Sequence, residues 1–230
     1  MASSNPSIPP ALARDLATVD HVCGSDEVGL GCWAGSLVVC AVVAHRSWAF
    51  PGVTDSKKLT PAAREQLYPR LTAEESLSYN LVEFSAQEID EMGVGVAWKK
   101  AHSNAIQGAL DLHESRGHSD TPLVIVDGNR GLLGALALPK ADLLIPAVSA
   151  ASIIAKVYRD RLMKKLDAEY PGYGFSSHVG YGTKQHQRAL SLRGVCPIHR
   201  MSYAPMKFMR KKTEEDPGLT ALGTGIHCED

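Results

Sequence analysis

The chain lacks the features that mark membrane and secreted proteins. Its longest apolar run, residues 37–44, has eight residues, whereas a membrane-spanning helix needs about twenty. The amino terminus has no basic stretch followed by an apolar one, so no secretory signal is expected. We therefore expect no membrane association and interpret the apolar run as a buried strand.

Cysteine is scarce and follows no pairing pattern. The five cysteines are an odd number, and none stands in a Cys-x-x-Cys pair. This spacing argues against a disulfide framework and against a cysteine-based zinc site. Free or buried thiols in a reducing cytoplasm are the expected state.

The chain also lacks a large net charge, which is −1, but its charged residues are unevenly distributed along the sequence. Residues 156–212 contain 13 basic and three acidic residues, whereas the net charge is −6 over residues 1–155 and −5 over residues 213–230. A basic carboxy-terminal third predicts a surface that binds a polyanion. A solvated basic helix face is the alternative that charge alone leaves open.

No internal repeat or low-complexity linker divides the 230 residues. We expect a flexible leader over residues 1–14, which are rich in Ser and Pro, and a single domain over residues 15–212. An acidic, flexible tail is expected over residues 213–230. Nothing in the sequence indicates more than a monomer.

Apolar periodicity predicts three early strands followed by alternating helices and strands. Strands are expected at residues 21–28, 37–44, 77–84, 123–126 and 141–145. Helices are expected after the N-cap residues Thr60 and Ser85 and over residues 97–112, 151–166 and 183–192. This order indicates an α/β domain with a mixed sheet.

Acidic residues interrupt this apolar pattern. Asp26 and Glu27 lie inside the first predicted strand, Asp127 ends the fourth, and Asp142 begins or precedes the fifth. Charged residues are seldom buried unless they are paired or bind a metal. Converging carboxylates suit Mg²⁺ or Mn²⁺, and two such ions can cleave a phosphodiester. The alternative is a set of unrelated strand-end acids, because linear spacing does not show convergence.

Several motifs follow one another along the chain. They are GSDEVGLG at 24–31, DSKKL at 55–59, VDGN at 126–129, SAASIIAKVYRDR at 149–161, YPGYGF at 170–175 and PIHR at 197–200. Together they resemble bacterial type 2 ribonuclease H (ribonuclease HII) from about residue 20 to residue 207. The motifs are specific as a set, whereas the Asp-Glu pair alone is weak.

The resemblance implies a ribonuclease H-like fold, with a mixed five-stranded sheet flanked by helices and a helical carboxy-terminal part. It implies an endonuclease for the RNA strand of RNA–DNA hybrids and for ribonucleotides embedded in duplex DNA. The cut falls 5′ of a ribonucleotide and leaves a 3′-hydroxyl and a 5′-phosphate. Two Mn²⁺ or Mg²⁺ ions would be held by four carboxylates, those of Asp26, Glu27, Asp127 and Asp142.

The resemblance also implies residues that bind the nucleic-acid partner. One group faces the ribose beside the cut and comprises Gly29, Leu30, Gly31 and Tyr181. In the other group, Lys57 and Lys58 would meet backbone phosphates, and Lys156 and Arg159 would line the basic face. His178 and His199 are expected to be structural.

Three positions depart from the family pattern. Leu30 stands where arginine is usual, Val179 where lysine is common, and Ser36 where proline is common. Leucine cannot make the phosphate contact of a guanidinium, so we predict weaker cleavage at single ribonucleotides. A neutral packing change, with Lys57 or Lys58 filling the role, is the alternative. Type 3 ribonuclease H also lacks the arginine, but its extra amino-terminal domain has no room before residue 20.

Two other functions stay open. One is a non-catalytic duplex-binding protein with the same fold, and the other is a related nuclease such as a junction resolvase. Retention of all four acids argues against the first, and the loop motif around Tyr181 argues against the second.

Overall fold

The computed structural model describes residues 7–53 and 59–209. The strands are β1 (His21–Val28), β2 (Leu37–His45), β3 (Ser78–Phe84), β4 (Leu123–Asp127) and β5 (Leu136–Leu138). The helices are α1 (Pro10–Thr18), α2 (Pro61–Thr72), α3 (Ala86–Met92), α4 (Val94–Ser115), α5 (Pro146–Glu169), α6 (Phe175–His178) and α7 (Lys184–Arg193).

The five strands form one mixed sheet in the order β3-β2-β1-β4-β5. The pairs β1–β2 and β2–β3 are antiparallel, whereas β1–β4 and β4–β5 are parallel. The predicted mixed five-stranded sheet is therefore confirmed. Because β1 and β4 run in the same direction, their carboxyl ends meet at one edge, and Ser25 pairs with Val126 there.

Strand β2 is buried on both faces, which explains its uninterrupted apolar sequence. Alternate β2 side chains enter two different apolar clusters. Val38, Cys40 and Val42 pack with residues of α5 on one face. Val39 and Val43 pack with residues of α4 on the other. The sheet is thus enclosed between these two long helices.

Helix α5 approaches β1 closely at Gly24. A Cβ atom at Gly24 would lie 2.3 Å from the backbone nitrogen of Val148, so only glycine fits there. Alternate strand residues share a face, so Asp26 points toward the same helix as Gly24. The close approach therefore brings α5 alongside the first acidic residue.

Local helix signals in the sequence are confirmed. The Thr60 side chain accepts a hydrogen bond from the backbone of Ala63, with proline at the first helical position of α2. Ser85 and Glu88 form a reciprocal capping box at the start of α3. The carboxy-terminal part is helical, and a third apolar cluster there includes Phe175 and Leu190.

Two expectations are wrong. Residues 141–145 are not a strand; Ala141–Leu143 form a 3₁₀ turn before α5, and the fifth strand is Leu136–Leu138. A hydrogen bond from the Ala141 nitrogen to the Asp127 carboxylate and the proline that opens α5 leave room for only one turn.

Residues 10–14, which were expected to belong to the flexible leader, instead lie in α1, and Leu12 is buried in the apolar cluster. The acidic tail, residues 213–230, lies outside the described residues. Among the helices of the described residues, none is long and apolar enough to cross a bilayer.

Candidate active site

Asp26 and Glu27 are neighbours on β1 but point to opposite faces of the sheet. Asp26 is buried and accepts a hydrogen bond from Ser152 of α5. Glu27 lies 3.1 Å from Nε2 of His102 of α4. Two helices on opposite faces of the sheet therefore hold the two adjacent acids.

Asp127 joins this pair from the carboxyl end of the parallel strand β4. Its Oδ1 accepts a hydrogen bond from the Ala141 nitrogen at 2.7 Å. Burial raises the pKa of Asp26 to about 8; the hydrogen bond from Ser152 opposes this rise, and the charges of Asp127 and Glu27 add to it. All three carboxylates line one pocket, so they converge at this edge of the sheet.

Asp142 occupies a different position from these three. It is fully buried in the 3₁₀ turn, and its backbone carbonyl accepts a hydrogen bond from Ser149 at 2.6 Å. It does not line the pocket that contains the other acids. It nevertheless follows Ala141, whose nitrogen binds Asp127, so it lies next to the site through the chain.

The pocket at this edge of the sheet has a volume of about 490 Å³. Its lining combines acids, the glycine loop, cations and one aromatic residue, namely Asp26, Glu27, Val28, Gly29, Leu30, Gly31, Arg64, Asp127, Ser152, Lys156 and Tyr181. Most residues that the sequence suggested for the site therefore share one cavity. Lys57 and Lys58 lie outside the described residues.

Arg159 does not line a basic face, and this expectation is wrong. Its side chain is fully buried, and its guanidinium donates to three backbone carbonyls, those of Ser36 (2.8 Å), Val179 (2.8 Å) and Ala34 (3.2 Å). A Cβ at Gly29, where φ is 88°, would lie 2.2 Å from Arg159 Nε. Arg159 thus packs directly against the glycine loop at Gly29. Its guanidinium is buried because three backbone carbonyls accept hydrogen bonds from it.

A second buried arginine, Arg200, fixes the same loop. Its guanidinium donates to the carbonyl of Leu30 at 2.9 Å and twice to the carbonyl of Gly35. The Tyr203 hydroxyl also donates to the Leu30 carbonyl at 2.9 Å. The Leu30 side chain is half-buried and packs against the apolar cluster on the α4 side of the sheet. Its backbone is therefore fixed, whereas its side chain contributes no charge.

Tyr181 stands at the rim of the pocket, with 43% of its surface exposed. Its loop is held by histidines. His178 accepts from the Gly180 nitrogen at 3.2 Å, and His186 Nδ1 lies 3.0 Å from the Tyr181 carbonyl. His199 is buried and bonds to His186, so these histidines orient the loop rather than face the acids.

Two cations lie in the pocket. Lys156 donates to Asp160 one helical turn away at 2.7 Å. Arg64 of α2 donates to the Leu59 carbonyl at 2.6 Å and was not indicated by the sequence. Both lie where a phosphate backbone could pass beside the carboxylates.

His102 and Ser152 were also missed. His102 is fully buried and connects Glu27 to Ser25, whose Oγ lies 2.9 Å from His102 Nδ1. A carboxylate only accepts hydrogen bonds, so His102 Nε2 carries a proton and donates to Glu27. The sequence signal for His102 was a polar residue on the apolar stripe of α4, and the signal for Ser152 was a hydroxyl among the apolar residues of α5.

A mixed sheet of this order, with carboxylates converging at the carboxyl ends of its central parallel strands, defines the class: a protein of the ribonuclease H-like fold with an acidic pocket at the sheet edge. The family model of ribonuclease HII matches residues 23–206. The ribonuclease HII of Hyphomonas neptunium is 43% identical over 197 residues, which cover 81% of this chain and 94% of that protein. The chain therefore belongs to the ribonuclease HII family.

Solved structures agree with this assignment. The crystal structure of the ribonuclease H2 from Pyrococcus horikoshii matches with a TM-score of 0.64 at 27% identity, covering 85% of this chain and 100% of that one. Bst-RNase HIII in complex with Mn²⁺ shares the fold, with a TM-score of 0.62 at 20% identity over 93% of this chain and 78% of that one. The protein is a ribonuclease H-type endoribonuclease that acts on RNA–DNA hybrids, and its type 2 motifs are confirmed.

Proposed function

We propose that this enzyme cuts the phosphodiester 5′ of a ribonucleotide, both in the RNA strand of hybrids and at ribonucleotides embedded in duplex DNA. The products carry a 3′-hydroxyl and a 5′-phosphate. Two divalent ions, Mn²⁺ or Mg²⁺, are held by Asp26, Glu27, Asp127 and Asp142. The observation that carries the proposal is the pocket in which three of these carboxylates face the glycine loop and Tyr181.

The donor set fits hard divalent cations. All the candidate ligand atoms are carboxylate oxygens, which suit Mg²⁺ and Mn²⁺. Burial first, and then the charges of Asp127 and Glu27, raise the pKa of Asp26 to about 8, and a divalent cation bound beside it would lower that pKa again. Asp142 would complete the set. The hydrogen bond from Ala141 to Asp127 holds the turn that contains Asp142 next to the pocket.

Each part of the pocket has a separate task. Asp26 and Asp127 would hold the divalent ions from β1 and β4, and through these ions they would position the reacting phosphate. The bound ions would supply the chemistry that lowers the pKa of a water molecule and stabilises the charge on the leaving oxygen. Gly29 and Gly31 allow the backbone to approach the ribose 2′-hydroxyl, the group that separates RNA from DNA. Tyr181 packs against the sugar beside the cut.

Cations position the duplex without reading its sequence. Lys156 and Arg64 line the pocket itself. Lys57 and Lys58 would extend this phosphate-binding surface. The basic charge of residues 156–212 then favours association with the duplex at low salt.

We propose that residues 15–212 act as a single catalytic domain and that the enzyme works as a monomer in the cytoplasm. Cys23, Cys32, Cys40 and Cys196 are free thiols, which suits a reducing compartment. Sedimentation at micromolar concentration tests the monomer, and a mass twice that of the chain would refute it.

The test of the reaction uses four end-labelled substrates: duplex DNA with one ribonucleotide, duplex DNA with four, an all-DNA duplex and single-stranded RNA. With Mn²⁺ we expect cleavage of the first two only, immediately 5′ of a ribonucleotide. Extension of the upstream product by a DNA polymerase reports the 3′-hydroxyl, and ligation of the downstream product reports the 5′-phosphate.

The matched variants are Asp26→Asn and Glu75→Gln. Asp26→Asn removes a pocket carboxylate and should abolish cleavage, whereas Glu75 is an exposed acid outside the pocket and its variant should cut normally. Binding by the wild type without cleavage would support the non-catalytic alternative. Cutting of an all-DNA junction would support a resolvase.

A further inference from the structure

A second cluster of potential metal ligands lies at the amino end of β1, opposite the carboxylate pocket. His21 is the first residue of β1, and His113 lies in the last turn of α4. His118 and Asp120 belong to the segment between α4 and β4. One ligand atom from each of the four residues lies within 4.8 Å of the others.

The distances within this histidine cluster are close to those of a coordination sphere. His21 Nδ1 lies 2.9 Å from one Asp120 oxygen, and His113 Nε2 lies 3.2 Å from the other. The rings of His113 and His118 stack with centroids 4.2 Å apart. A tetrahedral Zn²⁺ with bonds of about 2.0–2.1 Å separates its ligand atoms by roughly 3.3 Å. Small side-chain rotations would therefore complete such a sphere.

The charges within the cluster also suit a cation. Burial lowers the pKa of His113, and the neighbouring His118 and His21 lower it further, against the opposing effect of Asp120. A neutral imidazole is the form that binds metals. Burial acts to raise the pKa of Asp120, but hydrogen bonds from His21 and His113 outweigh it and leave that pKa lowered, so the carboxylate is ionised.

We propose that His21, His113, His118 and Asp120 bind one Zn²⁺ ion. Three imidazoles and one carboxylate form a nitrogen-rich set that favours zinc over Mg²⁺ or Mn²⁺. Four protein ligands close the sphere, which is typical of a structural site and not of a catalytic one. The ion joins the start of β1, the end of α4 and the segment leading into β4.

This zinc site is separate from the carboxylate pocket. His21 and Asp26 are five residues apart on one strand, which corresponds to about 16 Å. The proposal therefore does not depend on the proposed reaction. Its effect is on folding stability, because an ion that binds only the folded state stabilises that state.

Metal content tests the proposal directly. The untagged full-length protein is stripped with a chelator, incubated with Zn²⁺ alone, desalted and analysed for zinc by mass spectrometry. We expect about one zinc per wild-type chain and none for His118→Ala or Asp120→Asn. Zinc at a hundredfold excess over its Kd should also raise the wild-type Tm by about 5 to 10 °C, and it should not shift the Tm of His118→Ala.

Two variants serve as controls. The His45 ring lies 5.4 Å from the His21 ring but bonds to Ser47, so His45→Ala should keep its zinc. Asp127→Asn should keep its zinc as well, because Asp127 belongs to the other site. Absence of zinc in the wild type, unchanged zinc in His118→Ala, or loss of zinc in either control would overturn the proposal. His118 is exposed, so its substitution leaves the core intact.

Discussion

The two ends of β1 carry opposite kinds of metal-ligand chemistry on one strand. At the carboxyl end, Asp26 and Glu27 meet Asp127 of β4 in a pocket whose candidate metal ligands are carboxylate oxygens. At the amino end, His21 meets two further histidines and Asp120, which precedes β4. The parallel pairing of β1 with β4 explains both meetings, because it places each end of β4 beside the matching end of β1.

The two ends also differ in what surrounds them. The carboxylate pocket is open, holds Arg64 and Lys156, and keeps glycine backbone beside its acids. The histidine cluster offers four potential ligands, of which His118 and Asp120 belong to the segment between α4 and β4. One end is therefore suited to a phosphate substrate and the other to a resident ion. Substitutions at one end should leave the other unaffected, and this independence can be tested.

The largest effect is expected for Asp127→Asn. The amide keeps the shape of the side chain but loses the charge that holds a divalent ion. Cleavage should fall by more than about a hundredfold, since loss of even an indirect metal partner costs roughly 10–100-fold. Duplex binding, zinc content and Tm should stay near wild type. The reciprocal variant, His118→Ala, should lose zinc and keep cleavage, and cleavage by Asp127→Asn within a few-fold of wild type would contradict the metal assignment.

This contrast also shows what the sequence could and could not predict. Asp26 and Glu27 are adjacent acids in an otherwise apolar strand, so a short stretch of sequence is enough to single them out. The histidine cluster draws on residues 21, 113, 118 and 120, and only the sheet pairing brings them together. Short-range patterns therefore revealed one end of β1 and not the other.

Side-chain direction was the other limit. Arg159 is a charged residue on a helix rich in basic residues, so it was expected at the surface. It is instead buried, because its guanidinium donates to the carbonyls of Ala34, Ser36 and Val179. Its burial depends on a loop more than a hundred positions away in the chain. Four of the five strands and the caps of α2 and α3 depend on local residues and were predicted, whereas β5, α1 and the turn at 141–143 were not.

The next largest effect is expected at His102, which lies beside Glu27 at the carboxyl end of β1. His102→Leu removes the hydrogen bond that orients Glu27 while filling the buried space. At limiting Mn²⁺ we expect kcat/KM to fall roughly 10–100-fold, with partial recovery at high Mn²⁺. Ser25→Ala, one contact further from Glu27, should cost less. An unchanged Mn²⁺ dependence in a folded His102→Leu protein would show that the histidine only fills the core.

Leu30→Arg tests substrate choice at the same end. A charge-assisted contact to phosphate is worth about 1.5–3 kcal/mol, or roughly a ten- to hundredfold change in kcat/KM if it forms in the transition state. The gain should appear with one ribonucleotide and be smaller with four, because a run offers several registers. Leu30→Met keeps the apolar packing and serves as the control. An unchanged ratio between the two substrates would make Leu30 a neutral packing change.

The smallest effect is expected for Lys156→Ala, measured as the salt dependence of duplex binding. Each phosphate contact releases counterions, so the slope of log K against log salt should flatten by about one unit when one contact is lost. Lys156 is bonded to Asp160 in the free protein, so it must exchange that carboxylate for a phosphate. Asp160→Ala should therefore tighten binding slightly.

Arg161→Ala is the control, because Arg161 lies on the same helix but pairs with Glu65 outside the pocket, and it should leave the slope unchanged. Anisotropy titrations with a labelled hybrid in the inactive Asp127→Asn background measure the slope. Equal slopes with and without Lys156 would exclude it from the phosphate-binding surface and leave that role to Arg64 in the pocket and to Lys57 and Lys58.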